Sequence, residues 1–157
     1  MYFDDFQVGD TFDIEKVEIK KDKMLAFAEE YDPQPIHLDE EFGAASQFGE
    51  IIAPGIMSFM SVWAKFVKAN IITENFIAAR SFRINWSSPV FEDDVLFGKV
   101  IIKNLIPRNK YNGLVEVNLV IYNQGGTMVM DTTTEAILRR RKMCKTLCFQ
   151  CLDNIFY

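Results

Sequence analysis

His37 is the only histidine in a chain of 157 residues. It follows an aspartate by five positions, in the segment Asp32-Pro33-Gln34-Pro35-Ile36-His37. An imidazole and a carboxylate are side chains well suited to moving protons near neutral pH, and general acid–base catalysis needs both held in place before substrate arrives. Pro33 and Pro35 supply stiffness, because each fixes its own φ and drives the residue before it toward extended backbone. The pattern predicts a stiff, non-helical loop that projects both groups. A plainer reading stands beside it: a lone histidine is often a satisfied core or surface group, and Asp-Pro commonly opens a turn.

The flanking elements must position that loop. Residues 12–19 alternate apolar and charged side chains, the period of a half-buried strand. Residues 21–31 place Met24, Phe27 and Ala28 at helical spacing, and Pro33 lies just beyond to end the helix. Asp39 is a candidate N-cap for a short helix reaching about residue 47, with Glu40 and Glu41 in its first turn. In Ala53-Pro54-Gly55, Pro54 suits a first helical position. The run 56–70 that follows is apolar on most sides (Ile56, Met57, Phe59, Met60, Val62, Trp63, Phe66, Val67), which predicts a buried helix. Residues 82–87, 94–105, 114–123 and 127–139 read as strands, with turns expected at Asn112-Gly113 and at Gln124-Gly125-Gly126. One early strand and four late ones around a long buried helix make an α+β, hot-dog arrangement: an antiparallel sheet wrapped on a central helix.

Composition bounds the alternatives. The chain is 49% hydrophobic and 13% aromatic, enough for a single domain that buries roughly two-thirds of its unfolded surface. A net charge of -5 argues against a duplex nucleic-acid binder, whose affinity comes largely from phosphate contacts. The local cluster Arg139, Arg140, Arg141 and Lys142 reads as a solvated strand end in preference to an anion site. The greasiest stretch, 51–72, is interrupted by Lys65 and Lys68, so it reads as a core helix and no membrane span is expected. The start lacks a positive flank and an apolar run, so no secretory leader is expected and the chain reads as cytoplasmic. All three cysteines fall near the C-terminus, at Cys144, Cys148 and Cys151. Without a neighbouring histidine or a following domain, no metal site is expected there. Residues 143–157 read as a tail appended to a domain spanning 1–142, with Leu147, Cys148, Cys151 and Phe156 either packing on the body or poorly ordered.

The stretch Tyr31-Asp32-Pro33-Gln34-Pro35-Ile36-His37-Leu38-Asp39 resembles the signature of the MaoC-like (R)-specific enoyl-CoA hydratase and dehydratase family. Phe48-Gly49-Glu50-Ile51-Ile52-Ala53-Pro54-Gly55-Ile56-Met57-Ser58 is similar to that family's lead into its central helix. The opening Phe3-Asp4-Asp5-Phe6-Gln7-Val8-Gly9-Asp10 is similar to its start. The likeness runs over about residues 3–140, and its specific part is Asp-Pro-x-Pro-Ile-His.

The resemblance implies reversible syn hydration of a trans-2-enoyl thioester carried by CoA or acyl carrier protein, by a homodimer without cofactor. It casts Asp32 as base on a water, His37 as its partner, the Gly55 N–H as oxyanion donor and Ser58 as a hydroxyl near His37 or substrate. Ser58 bonded back into its own helix is the competing reading. It also implies a substrate wall that includes Ile36, Ala53 and Pro54. Many members carry a histidine or another polar residue before the glycine, so Pro54 is a departure that bears on substrate preference. Arg80, Arg83, Lys103, Arg108 and Lys110 are candidates to meet the anionic carrier. A thioesterase of the same fold is the nearest rival, but such enzymes often use a carboxylate on the central helix, and none occurs between Ile56 and Thr73. A non-catalytic acyl-binding subunit is the rival from another class.

Overall fold

A computed structural model describes residues 1–141; the cysteine-bearing tail expected at 143–157 lies outside the described residues. The element order is β1 (Thr11–Glu18), α1 (Lys21–Tyr31), α2 (Pro35–Leu38), α3 (Glu40–Ala45), α4 (Gly55–Lys68), then β2 (Phe76–Trp86), β3 (Val95–Pro107), β4 (Asn112–Tyr122) and β5 (Met128–Arg139). The strands form one five-stranded sheet in the order β1-β3-β4-β5-β2, antiparallel at every pairing. With α4 packed on it, this is the α+β hot-dog fold.

The core lies between the sheet and α4. Along β5, Met130, Thr132, Thr134, Ala136 and Leu138 are buried at every second position, as the pleat requires. From α4, Met57, Phe59, Val62 and Phe66 enter the same core. The helix is not buried all round, however: Ile56 and Met60 are exposed. One sheet covers one side of a helix, and this composition does not reveal which side stays open.

Three local expectations are corrected. Asn112 and Gly113 are not a turn but the first residues of β4, paired with Arg139 and Leu138. The turn precedes them, where the Asn109 side chain accepts from the Tyr111 and Asn112 N–H groups. Gly113 is needed for a different reason: a Cβ there would meet the Phe3 ring at 2.4 Å. Second, β2 starts at Phe76, well before residue 82, because Ala79 and Ser81 pair with β5; Ala78-Ala79-Arg80-Ser81 has no strand pattern of its own, and tertiary pairing overrides propensity. Third, Pro54 is the N-cap of α4 and not its first helical residue.

Two expected devices are present. The Asp39 side chain accepts from Glu41 N–H at 2.9 Å and Phe42 N–H at 3.0 Å, capping α3, which ends at Ala45. The turn at 124–126 closes with Gly126 at φ +76, a conformation glycine adopts without steric cost.

Candidate active site

α1 ends where Pro33 cannot continue it, and the chain turns so that Asp32 and His37 face each other. The loop expected between them is partly helical. Pro35 opens the single turn α2, with His37 inside it. Proline is excluded from helix interiors, but at the first position its missing N–H is one that a helix never uses. The segment's rigidity survives in this form: His37 N–H donates to Gln34 O at 2.9 Å and Asp39 N–H to Pro35 O at 2.8 Å.

The imidazole is 6% exposed and spoken for on both sides. Nδ1 lies 2.7 Å from Ile52 O. A carbonyl only accepts, so Nδ1 carries the proton and donates. Nε2 then faces Asp32, 3.4 Å from Oδ2. The other carboxylate oxygen accepts from Gln34 Nε2 at 2.6 Å. In the neutral ring Nε2 is an acceptor, so Nε2 and Asp32 Oδ2 form two proton acceptors side by side.

Two backbone bonds tie this turn to its surroundings. Ile52 N–H donates to Ile36 O at 3.2 Å, and Ala53 N–H donates to Val90 O at 2.8 Å. Residues 51–53 thereby bridge the His37 turn to the 87–90 loop and feed directly into α4.

At the head of α4, the first backbone N–H bonded inside the helix is that of Ser58, to Pro54 O at 3.1 Å. The N–H groups of Gly55, Ile56 and Met57 precede it and have no helical acceptor, at the positive end of the helix dipole. Gly55 also makes a close approach possible: the Trp86 indole N–H donates to Gly55 O at 3.1 Å, and a Cβ at Gly55 would sit 2.7 Å from that nitrogen.

His37, Ala53, Gly55 and Ser58 line one cavity of about 310 Å³. Asp32 abuts it through His37, while Ile36 and Pro54 do not line it. Ser58 is fully buried, and its hydroxyl donates back to Pro54 O at 3.3 Å, the competing arrangement noted for it above. None of Arg80, Arg83, Lys103, Arg108 or Lys110 lines the cavity; Arg80 is paired with Glu135 at 2.9 Å. The remaining walls are Phe48, Ile52, Trp86, Ser87, Ser88, Pro89 and Val90. Residues 88–90 fall between two expected strands, and nothing in their types (Ser88, Pro89, Val90) places them against a histidine some fifty positions earlier. Among the described residues no group of three or more His, Cys, Asp or Glu side chains is placed to hold a metal ion. No helix among them is long and apolar enough to cross a membrane.

Comparison with known proteins adds a family and a fold relationship. Residues 5–122 match the family described as MaoC like domain. An uncharacterized Bacillus subtilis protein, YdeM, is 29% identical over 141 residues, covering 89% of this chain and all of that one. A 3-hydroxybutyryl-CoA dehydratase of Methylorubrum extorquens is 34% identical over 111 residues, covering 70% of this chain and 69% of that protein. The crystal structure of a MaoC-like dehydratase from Rhodospirillum rubrum superposes with a TM-score of 0.83 at 27% identity, covering 90% of this chain and 98% of that one.

Proposed function

Because the chain belongs to the MaoC-like domain family, we propose that it hydrates a trans-2-enoyl thioester reversibly, with Asp32 and His37 as the proton-handling pair. The observation that carries this reading is the pairing of Asp32 Oδ2 and His37 Nε2 as adjacent acceptors at a cavity that Gly55 also lines, where the Gly55 N–H has no acceptor within its helix.

One water donating its two protons to those acceptors presents a lone pair to the substrate. As that lone pair forms the C–O bond at the β-carbon, Asp32 takes one proton. The π electrons move toward the thioester carbonyl, and enolate charge grows on its oxygen. The Gly55 N–H is a fixed donor for that charge, more effective than water because it needs no reorganisation. Return of a proton to the α-carbon from the Asp32–His37 pair completes addition on one face. Read backwards, the same steps dehydrate a 3-hydroxyacyl thioester. The mostly apolar cavity walls suit an acyl chain, and the resemblance to a 3-hydroxybutyryl-CoA dehydratase supports a CoA thioester. β2 is a long edge strand, with Ile77, Phe82 and Trp86 exposed. Such an edge is a template for pairing, which supports a homodimer formed through it.

Asp32→Asn and His37→Ala are expected to lower the rate of enoyl hydration by about 10²–10⁴ each, the usual loss for a general acid or base. Circular dichroism should show both folded. Near-normal turnover in either variant overturns the assignment of roles.

A further inference from the structure

A second apolar cavity, of about 280 Å³, lies at the far end of α4, walled by Trp63, Val67, Ile72, Phe76, Ala79 and Phe82. It shares both of its long walls with the first cavity. On α4, Gly55 and Ser58 border the first cavity and Trp63 and Val67 the second. On β2, Trp86 borders the first and Phe76, Ala79 and Phe82 the second. From Ser58 to Trp63 the helix rises about 7.5 Å, and from Trp86 to Phe82 the strand covers about 13 Å. The helix passes from the first cavity to the second, and the strand passes back. The cavities therefore lie toward the two ends of one groove-like seam between α4 and β2.

An aromatic cluster lies along this seam, and two of its rings, Trp63 and Phe82, are walls of the second cavity. The Phe82 ring meets Phe59 edge-on, with centroids 5.4 Å apart at 70°, and meets Trp63 at 5.2 Å and 88°. Phe59 and Trp63 stack at 6.0 Å. Ile84, between Phe82 and Trp86 on β2, also packs against the core. The three rings differ in burial: Phe59 is 3% exposed and locked in the core, whereas Phe82 is 45% exposed on an edge strand. Within one chain, Phe82 is thus the member of the cluster whose truncation removes no fully buried ring, and size-exclusion chromatography of Phe82→Ala checks that the proposed β2-edge dimer is kept.

Resting on the hydratase reading above, we propose that Phe82 sets acyl-chain length. A thioester whose carbonyl sits at the Gly55 N–H sends its tail down the groove and meets Phe82 after a short run. The protein takes short enoyl chains, and the second cavity is the unused extension that a longer tail would occupy were the ring absent.

The test measures kcat/KM for butenoyl-, hexenoyl- and octenoyl-CoA in three proteins: wild type, Phe82→Ala, and Phe82→Ala combined with Ala79→Phe, which refills the second cavity. Wild type should discriminate steeply against octenoyl-CoA. Phe82→Ala should raise the octenoyl-to-butenoyl ratio by about tenfold or more, since each methylene newly buried adds a several-fold preference. The added Ala79→Phe should cancel the gain. Equal use of all chains by wild type, an unchanged ratio in Phe82→Ala, or a gain that survives Ala79→Phe would each overturn the chain-length role while leaving hydration intact. Absence of hydration for every chain in wild type would instead overturn the hydratase reading, and this role with it.

Discussion

A neutral imidazole offers one acceptor, and at His37 a backbone carbonyl decides which. With Nδ1 donating to Ile52 O at 2.7 Å, the ring cannot turn its acceptor away from Asp32 without losing a part-buried hydrogen bond. Residue types and spacing mark Asp32 and His37 as groups able to handle protons, and the fold brings the two side chains to 3.4 Å; the reaction they are proposed to carry comes from the family resemblance. The partners that orient them were not legible. Ile52 contributes only its carbonyl, which every residue has, and Trp86 reaches Gly55 from a strand 31 positions away. Ser58 is the residue on which two readings diverged, and the hydroxyl bonded back to Pro54 O points to a structural role. Ser58→Ala should therefore reduce kcat/KM by less than about tenfold, in contrast to the losses expected for general acid–base groups. A loss comparable to that of Asp32→Asn would place the hydroxyl in the chemistry.

At the scale of elements, strong periodicity was read correctly and weak periodicity was not. α1 and β5 carry their own pattern, with Met24 and Ala28 on one helix face and alternate burial along the strand. The first half of β2 carries none. Its two alanines, arginine and serine are extended because β5 pairs with them, and Arg80 and Ser81 both meet Glu135 across that pairing. The Asn112-Gly113 dipeptide misled for a related reason: the pair favours tight turns, but here Gly113 serves the close approach of Phe3 to β4. At α2, proline stiffness was read correctly and its consequence was not, since a proline that forbids a helix interior also begins a helix well.

At the scale of the whole molecule, the two ends of the described chain are fastened together. Both Arg140 Nε and Nη2 donate to Asp4 Oδ1, at 2.8 and 2.7 Å. Arg141 grips Asp5 with a two-pronged contact at 2.7 and 3.0 Å. The Arg140 guanidinium lies over Phe3 and that of Arg141 over Tyr2. The basic cluster read as a solvated strand end is therefore in part a clasp, invisible to local patterning because its acids lie 136 positions away. The hydrogen bond from Arg140 holds the Asp4 carboxyl below its ordinary value of 3.8, and that from Arg141 does the same for Asp5. A depressed carboxylate adds stability above its unfolded value and loses it as pH falls through the lower folded value. Asp4→Asn with Asp5→Asn should lower Tm at neutral pH, and the gap from wild type should close below pH 3.8. A gap that persists in acid would mean that the clasp acts through packing and not through charge.

The reaction itself is tested most directly by the product formed from trans-2-butenoyl-CoA. The geometry predicts a 3-hydroxyacyl thioester of a single configuration, (R) by resemblance to the family, with the acyl group still on CoA. Release of free CoA thiol would make the protein a thioesterase, and recovery of unreacted enoyl thioesters across the whole chain-length series would contradict hydratase activity outright.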